Sequence, residues 1–155
     1  MPASIHRRSA PRRAETQSTC FVCGPTHPIG LRIKYELAGD GAMTARWVPE
    51  RAWEGFPGII HGGIVCTVLD EAMSKAVAAR AGEALTAEMR VRFRRRIQPG
   101  QEFDVRGWIV DRSKRRIRAE ATVIGTDGEE FAHAWGTFLA VTVERQTAEF
   151  ENDPR

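Results

Sequence analysis

Two periodicities divide the chain. Apolar residues recur at every second position over residues 31–37 and again beyond residue 85, whereas over residues 64–81 they follow the three- and four-residue spacing of a helix. The helical stretch holds no Pro and no Gly, is built mainly of helix formers, and stops at Gly82. Val65, Leu69, Ala72, Met73 and Ala76 share one broad apolar face, which Ile64 and Val68 widen. Thr67, Glu71 and Ser74 mark a narrower polar face with Asp70 at its border. A helix this apolar is expected to be wrapped by a sheet.

The alternating stretches read as strands. Leu31, Ile33, Tyr35 and Leu37 alternate with Arg32, Lys34 and Glu36, and Gly39-Asp40-Gly41 predicts a hairpin into a returning strand over 42–48. Residues 49–58, PERAWEGFPG, read as a loop. Its Trp53 and Phe56 line a pocket, cover the helix start, or simply pack the loop onto the core. Beyond the helix, Leu85, Ala87, Met89, Val91 and Phe93 alternate with Thr86, Glu88, Arg90, Arg92 and Arg94 in a strand over 85–97. Further strands are predicted over 103–110, 117–124 and 131–143, separated by turn signals. Two strands, one long helix and then four strands predict an α+β fold: an antiparallel sheet of five or six strands curled around a single helix, with open edges that invite partner subunits.

Length and composition narrow the class. A chain of 155 residues, 42% hydrophobic and 28% charged, has the make-up of one soluble globular domain. No run approaches the roughly 18 apolar residues of a membrane span, and no apolar stretch follows the N-terminal arginines as a signal peptide requires. A cytoplasmic location without a membrane partner is the expectation. The net charge of +3 belongs to residues 1–19, where Arg7, Arg8, Arg12 and Arg13 face only Glu15; the remainder is neutral. That balance argues against a nucleic-acid partner, which needs basic excess on the folded surface. Residues 1–19 read as a disordered basic leader, 20–143 as the folded domain and 144–155 as a polar tail.

Candidate chemistry concentrates at the helix start. His61-Gly62-Gly63 opens it, although glycine destabilises helices, so the two glycines point to close backbone approach by a ligand. The first N–H groups of a helix lack intrahelical partners and face the positive end of its dipole, which suits a carbonyl oxygen gaining charge. Asp70, nine residues after His61, supplies a carboxylate further along. Three cysteines make a disulfide framework unexpected. Cys20-x-x-Cys23 reads as a tight turn, a redox pair, or half a metal site with His27 as third ligand; without a second such pair no metal is expected.

These motifs resemble a known family. F-P-G-I-I-H-G-G, followed by an apolar helix with Asp nine residues after His, resembles the hotdog-fold thioesterases of the phenylacetate-pathway and 4-hydroxybenzoyl-CoA type. The resemblance spans roughly residues 20–142. C-F-V-C-G-P-T-H-P-I-G-L is similar to a segment that precedes the first strand in many members, with His27 where Asn is common. The resemblance implies an acyl-CoA thioesterase without a cofactor, assembled as a homodimer or homotetramer with active sites at the subunit interface. The Gly62 N–H would polarise the thioester carbonyl. Asp70, supplied across the interface, would act as nucleophile or general base. Thr86 would help hold the attacking water, and His61 would organise the turn.

Met73, Val77, Trp53 and Phe56 are candidates to line the acyl pocket, with sizes that allow an aryl or a small-to-medium acyl group, and Gly63 and Ser74 are further candidate substrate contacts. Arg94 and Arg95 would meet the phosphates of coenzyme A, since guanidinium binds phosphate by charge-assisted hydrogen bonds. Arg90, Arg92 and Arg94 equally fit a solvated face; Arg95 and Arg96 break the alternation, so one of them could bend toward a ligand. Two further classes stay open: a hotdog protein that binds acyl-CoA without hydrolysis, and a dehydratase of the same fold. The latter is less favoured because His61 lies in an H-G-G turn. No G-x-S-x-G, zinc or dinucleotide fingerprint is present.

Overall fold

The computed structural model describes residues 19–141. The basic leader, apart from Thr19, and the polar tail lie outside the described residues. The chain divides into two compact units, Met1–Ile33 and Lys34–Arg155.

In the first unit the C-x-x-C segment closes a tight turn. The Gly24 N–H donates to the Cys20 carbonyl at 2.8 Å, and the Cys23 N–H to Cys20 Sγ at 3.5 Å. His27 accepts the Ile29 N–H at Nδ1 and sets its ring edge-on to Phe21, 5.3 Å away. The N–H groups of Leu31 and Ile33 donate to the carbonyls of Phe21 and Val22, each at 2.8 Å. Of the strand expected over 31–37, only Glu36–Leu37 forms. The alternation is real, but the donors of its first half are engaged with residues 21–22.

The second unit contains β1 (Glu36–Leu37), β2 (Met43–Trp47), β3 (Glu54–Phe56), β4 (Ile59–Ile60), α1 (Gly62–Ala81), β5 (Ala84–Phe93), β6 (Phe103–Ser113), β7 (Arg116–Gly125) and β8 (Glu130–Ala140). Six strands form one antiparallel sheet in the order β1-β2-β6-β7-β8-β5, and α1 packs on one face. This is the hotdog arrangement. Residues 49–58 are more ordered than a loop. A 3-10 turn over Arg51–Trp53 leads into the β3–β4 ribbon, whose turn has Gly58 at φ 75°. Strands this short hold too few residues for an alternation to show.

The core lies between α1 and the sheet. Val65, Val68, Leu69, Ala72, Met73, Ala76 and Val77 of the helix are buried, as the helical periodicity predicts. They meet Phe103, Val105, Ile117, Ala119, Ala121, Val123, Ala132, Ala134 and Phe138 from the inward positions of β6, β7 and β8. Small residues in the middle of the sheet let the helix approach closely. A Cβ on Gly107 would fall 2.3 Å from the Ala72 carbonyl oxygen, and one on Gly136 would fall 2.9 Å from Met73 Sδ.

β5 lies at the sheet edge and departs from simple alternation. Thr86 pairs with Phe138 and Glu88 with Thr137, leaving Ala87 as an extra residue, a β-bulge. Directly opposed residues share a face. Thr86 therefore lies on the helix face with buried Phe138, and Leu85 lies with Leu139 on the outer face, 64% exposed. Unbroken alternation would place them the other way round.

Candidate active site

The start of α1 is built around the His61 ring. The His61 N–H donates to the Trp53 carbonyl at 2.9 Å, which fixes the chain entering the helix. Its Nδ1 accepts the Gly63 N–H at 2.9 Å, so the imidazole acts as the N-cap. With Nδ1 accepting, the neutral ring carries its proton on Nε2. Two glycines make room for the ring. A Cβ on Gly63 would lie 2.9 Å from Nδ1, and one on Gly55 would lie 3.0 Å from Cδ2. Gly55 carries no motif of its own and escapes a sequence reading; only its position opposite the histidine reveals its use.

Gly62 differs from these neighbours. A Cβ there would meet only the Phe93 ring, at 3.5 Å and beyond, an ordinary contact. The protein's own packing does not demand glycine at this position. The Gly62 N–H has no acceptor among the described residues. Beside it opens a cleft of about 660 Å³, of the size that takes small organic ligands. Phe56, Ile59, Ile60, Val65, Phe93 and Ile97 supply apolar walls, His61 and Gly62 lie at the helix start, and Arg94, Arg95 and Arg96 follow one another along it. Phe56 is 75% exposed, an unusual setting for a large aromatic side chain.

Asp70 lies elsewhere on the same helix. Thr86 Oγ1 donates to Asp70 Oδ1 at 2.8 Å, a contact that exists because the bulge at Ala87 turns Thr86 toward α1. Burial pushes the Asp70 carboxyl above the usual carboxylate value of 3.8; the Thr86 hydrogen bond opposes this, and neighbouring Glu71 adds to it. A half-buried carboxylate held by one hydroxyl and raised in pKa is suited to taking a proton.

The expected site residues thus fall into separate places. His61, Gly62, Phe56, Arg94 and Arg95 surround the cleft, and Gly63 holds the histidine. Asp70 and Thr86 form a pair of their own. Ser74 lines a shallow groove of about 360 Å³ with Glu71, Lys75 and Leu85. Trp53 contributes its carbonyl to the helix entry, and its side chain does not line the cleft. Met73 and Val77 are buried in the core and line neither this cleft nor the Ser74 groove: Gly136 leaves a gap that the Met73 thioether fills. Gly62 and Asp70 are eight residues apart, about 12 Å along the helix axis at 1.5 Å per residue.

No helix among the described residues is long and apolar enough to cross a membrane. No curated protein sequence matches the chain. The thioesterase superfamily model matches residues 57–132, from the turn before β4 into β8. A crystal structure of a thioesterase superfamily protein superposes with a TM-score of 0.75 at 22% identity; the match covers 78% of this chain and 60% of that structure. A mutant of the phenylacetic acid degradation protein PaaI from Thermus thermophilus gives a TM-score of 0.65 at 24% identity, covering 72% of this chain and 95% of that one. A Streptococcus mutans protein bound to acetyl CoA gives 0.66 at 16% identity, covering 70% and 88%. These similarities carry the fold, and the family match covers the helix start, Asp70 and Thr86 alike. From this combination of motif, sheet order and superposition, the chain adopts the hotdog fold, and residues 57–132 match the thioesterase superfamily model.

Proposed function

We propose that the protein hydrolyses an acyl-CoA thioester. The Gly62 N–H binds the carbonyl oxygen as it gains negative charge. Asp70 takes the proton of the attacking water, or attacks the carbonyl carbon itself, and Thr86 positions the carboxylate. As the tetrahedral centre collapses, the C–S bond breaks and the coenzyme A thiolate leaves, giving the free acid directly or, after attack by Asp70, a mixed anhydride that a water then hydrolyses to restore the carboxylate. The observation that carries this reading is the Thr86–Asp70 hydrogen bond, for which β5 departs from its regular ladder. The acetyl-CoA-bound neighbour supports the same substrate class.

The distance along α1 adds the assembly. An N–H and a carboxylate about 12 Å apart cannot both act on one carbonyl group, whose reacting partners approach to about 3–3.5 Å. Each site then joins Gly62 of one subunit to Asp70 of another. β5 offers the seam: among the described residues nothing pairs with its outer edge, and its ends carry Thr86 beside Asp70 and Phe93 beside Gly62. Antiparallel pairing of two β5 strands about a twofold axis near the middle of the strand brings each Asp70 toward the partner's Gly62.

Thiol release from a panel of acyl-CoAs tests the activity. Wild type is expected to turn over at least one of them, and Asp70→Asn to lose about a hundredfold or more of kcat while remaining folded. Equal rates for the two proteins would sink the assignment.

A further inference from the structure

The three consecutive arginines on the cleft differ in what they hold. Arg94 Nε lies 2.5 Å from Glu130 Oε1. Arg95 reaches Asp127 at 3.2 Å and Glu129 at 3.6 Å, and its guanidinium lies 5.6 Å from the Phe131 ring centroid. Both are committed to the turn between β7 and β8 and to the first residues of β8. Arg96 lines the same cleft, is exposed, and has no carboxylate within ion-pair distance among the described residues.

The backbone explains the difference. The N–H groups of Arg94 and Arg95 both converge on the Phe131 carbonyl, at 2.8 and 3.2 Å, which ends the β5–β8 ladder. Ile97 then gives its carbonyl to the Ile60 N–H at 2.9 Å. Arg96 is the residue between these two anchors, on the crossing from the sheet to the ribbon that leads into His61. Its main chain is held on both sides, while among the described residues no side chain takes up its guanidinium, whose donors suit an anion.

We propose that Arg96 binds the anionic group of the substrate, and that Arg94 and Arg95 brace the cleft wall through the β7–β8 turn. This rests on the thioesterase reading for the identity of the ligand. The anion is either a phosphate of coenzyme A or a carboxylate at the far end of the acyl group; the chemistry that recognises it is the same.

Three probes separate the sources: coenzyme A itself, a neutral acyl N-acetylcysteamine thioester, and one whose acyl group ends in a carboxylate. Affinities come from calorimetry and KM values from thiol release. If a phosphate is bound, Arg96→Ala weakens coenzyme A binding about tenfold or more, Arg96→Lys keeps part of it, and the neutral thioester is unaffected. If an acyl carboxylate is bound, the same loss falls on the carboxylate-bearing thioester and spares coenzyme A. Arg94→Ala and Arg95→Ala are expected to lower the melting temperature and to weaken either anionic probe far less than Arg96→Ala. Losses within twofold for Arg96→Ala on both anionic probes overturn the assignment, as do equal losses in all three variants or failure of wild type to bind either probe. Binding that depends on Arg96 in a protein without turnover would keep the anion site and overturn hydrolysis instead.

Discussion

At Gly62 the missing side chain is not needed by the protein. Nothing but an ordinary contact with Phe93 awaits a methyl group there, whereas Gly55 and Gly63 are required by the His61 ring. Gly62→Ala is therefore expected to keep its stability within about 0.5 kcal/mol. In the proposed mechanism the N–H survives this substitution but the added methyl group obstructs the approach of the carbonyl oxygen, so turnover is expected to fall, by up to about a hundredfold, the scale of losing an oxyanion donor. Thermal melts beside kinetics check this; a drop in both would mean that the glycine serves the fold. Asp70 yields a prediction in pH. In the proposed mechanism its raised carboxyl works only when ionised, so kcat/KM should decline on the acid side through a pKa above 3.8. Thr86→Ala, which removes the bond opposing the shift, should move that limb higher. The same raised value means that the folded state holds the proton better than the unfolded chain. Stability from this group then falls as pH climbs from 3.8 through the folded value and is level above it. Asp70→Asn should melt higher than wild type at neutral pH, with the difference closing as pH falls through that window.

The elements show which patterns a sequence displays and which it conceals. The period of α1, its stop at Gly82 and the ladder of β6 to β8 follow from spacing, because burial on one face selects apolar residues at a fixed interval. A single inserted residue is silent in that signal. Alternation along β5 puts Thr86 on the face away from the helix; only family likeness marked it as a site residue, and the bulge at Ala87 is what brings it to Asp70. The partners of Arg94, Arg95 and Gly55 are equally hidden, since each depends on residues brought together from distant parts of the chain. Leu85 gives a direct test of the bulge. On the outer face, Leu85→Ser should change stability by no more than about 0.5 kcal/mol. Under unbroken alternation it would be a core truncation costing about 2–5 kcal/mol. Urea unfolding of the two proteins separates these cases.

For the whole molecule, the separation of Gly62 from Asp70 makes the proposed enzyme a shared machine. Asp70→Asn and Gly62→Val should each be inactive alone. Co-refolded, they should recover about a quarter of wild-type activity, because half of randomly formed dimers are mixed and each mixed dimer holds one intact site. No recovery, with mixed dimers present by mass spectrometry, would return both groups to a single chain. The sheet order also sets a schedule for synthesis. α1 is complete at Ala81, yet the strands that cover its apolar face are finished only at Ala140. At about 5–20 residues per second, a ribosome leaves that helix uncovered for roughly 3–12 s. For that interval the most apolar segment of the chain depends on the cell's chaperones, and the yield of protein becomes a matter of timing as much as of final stability.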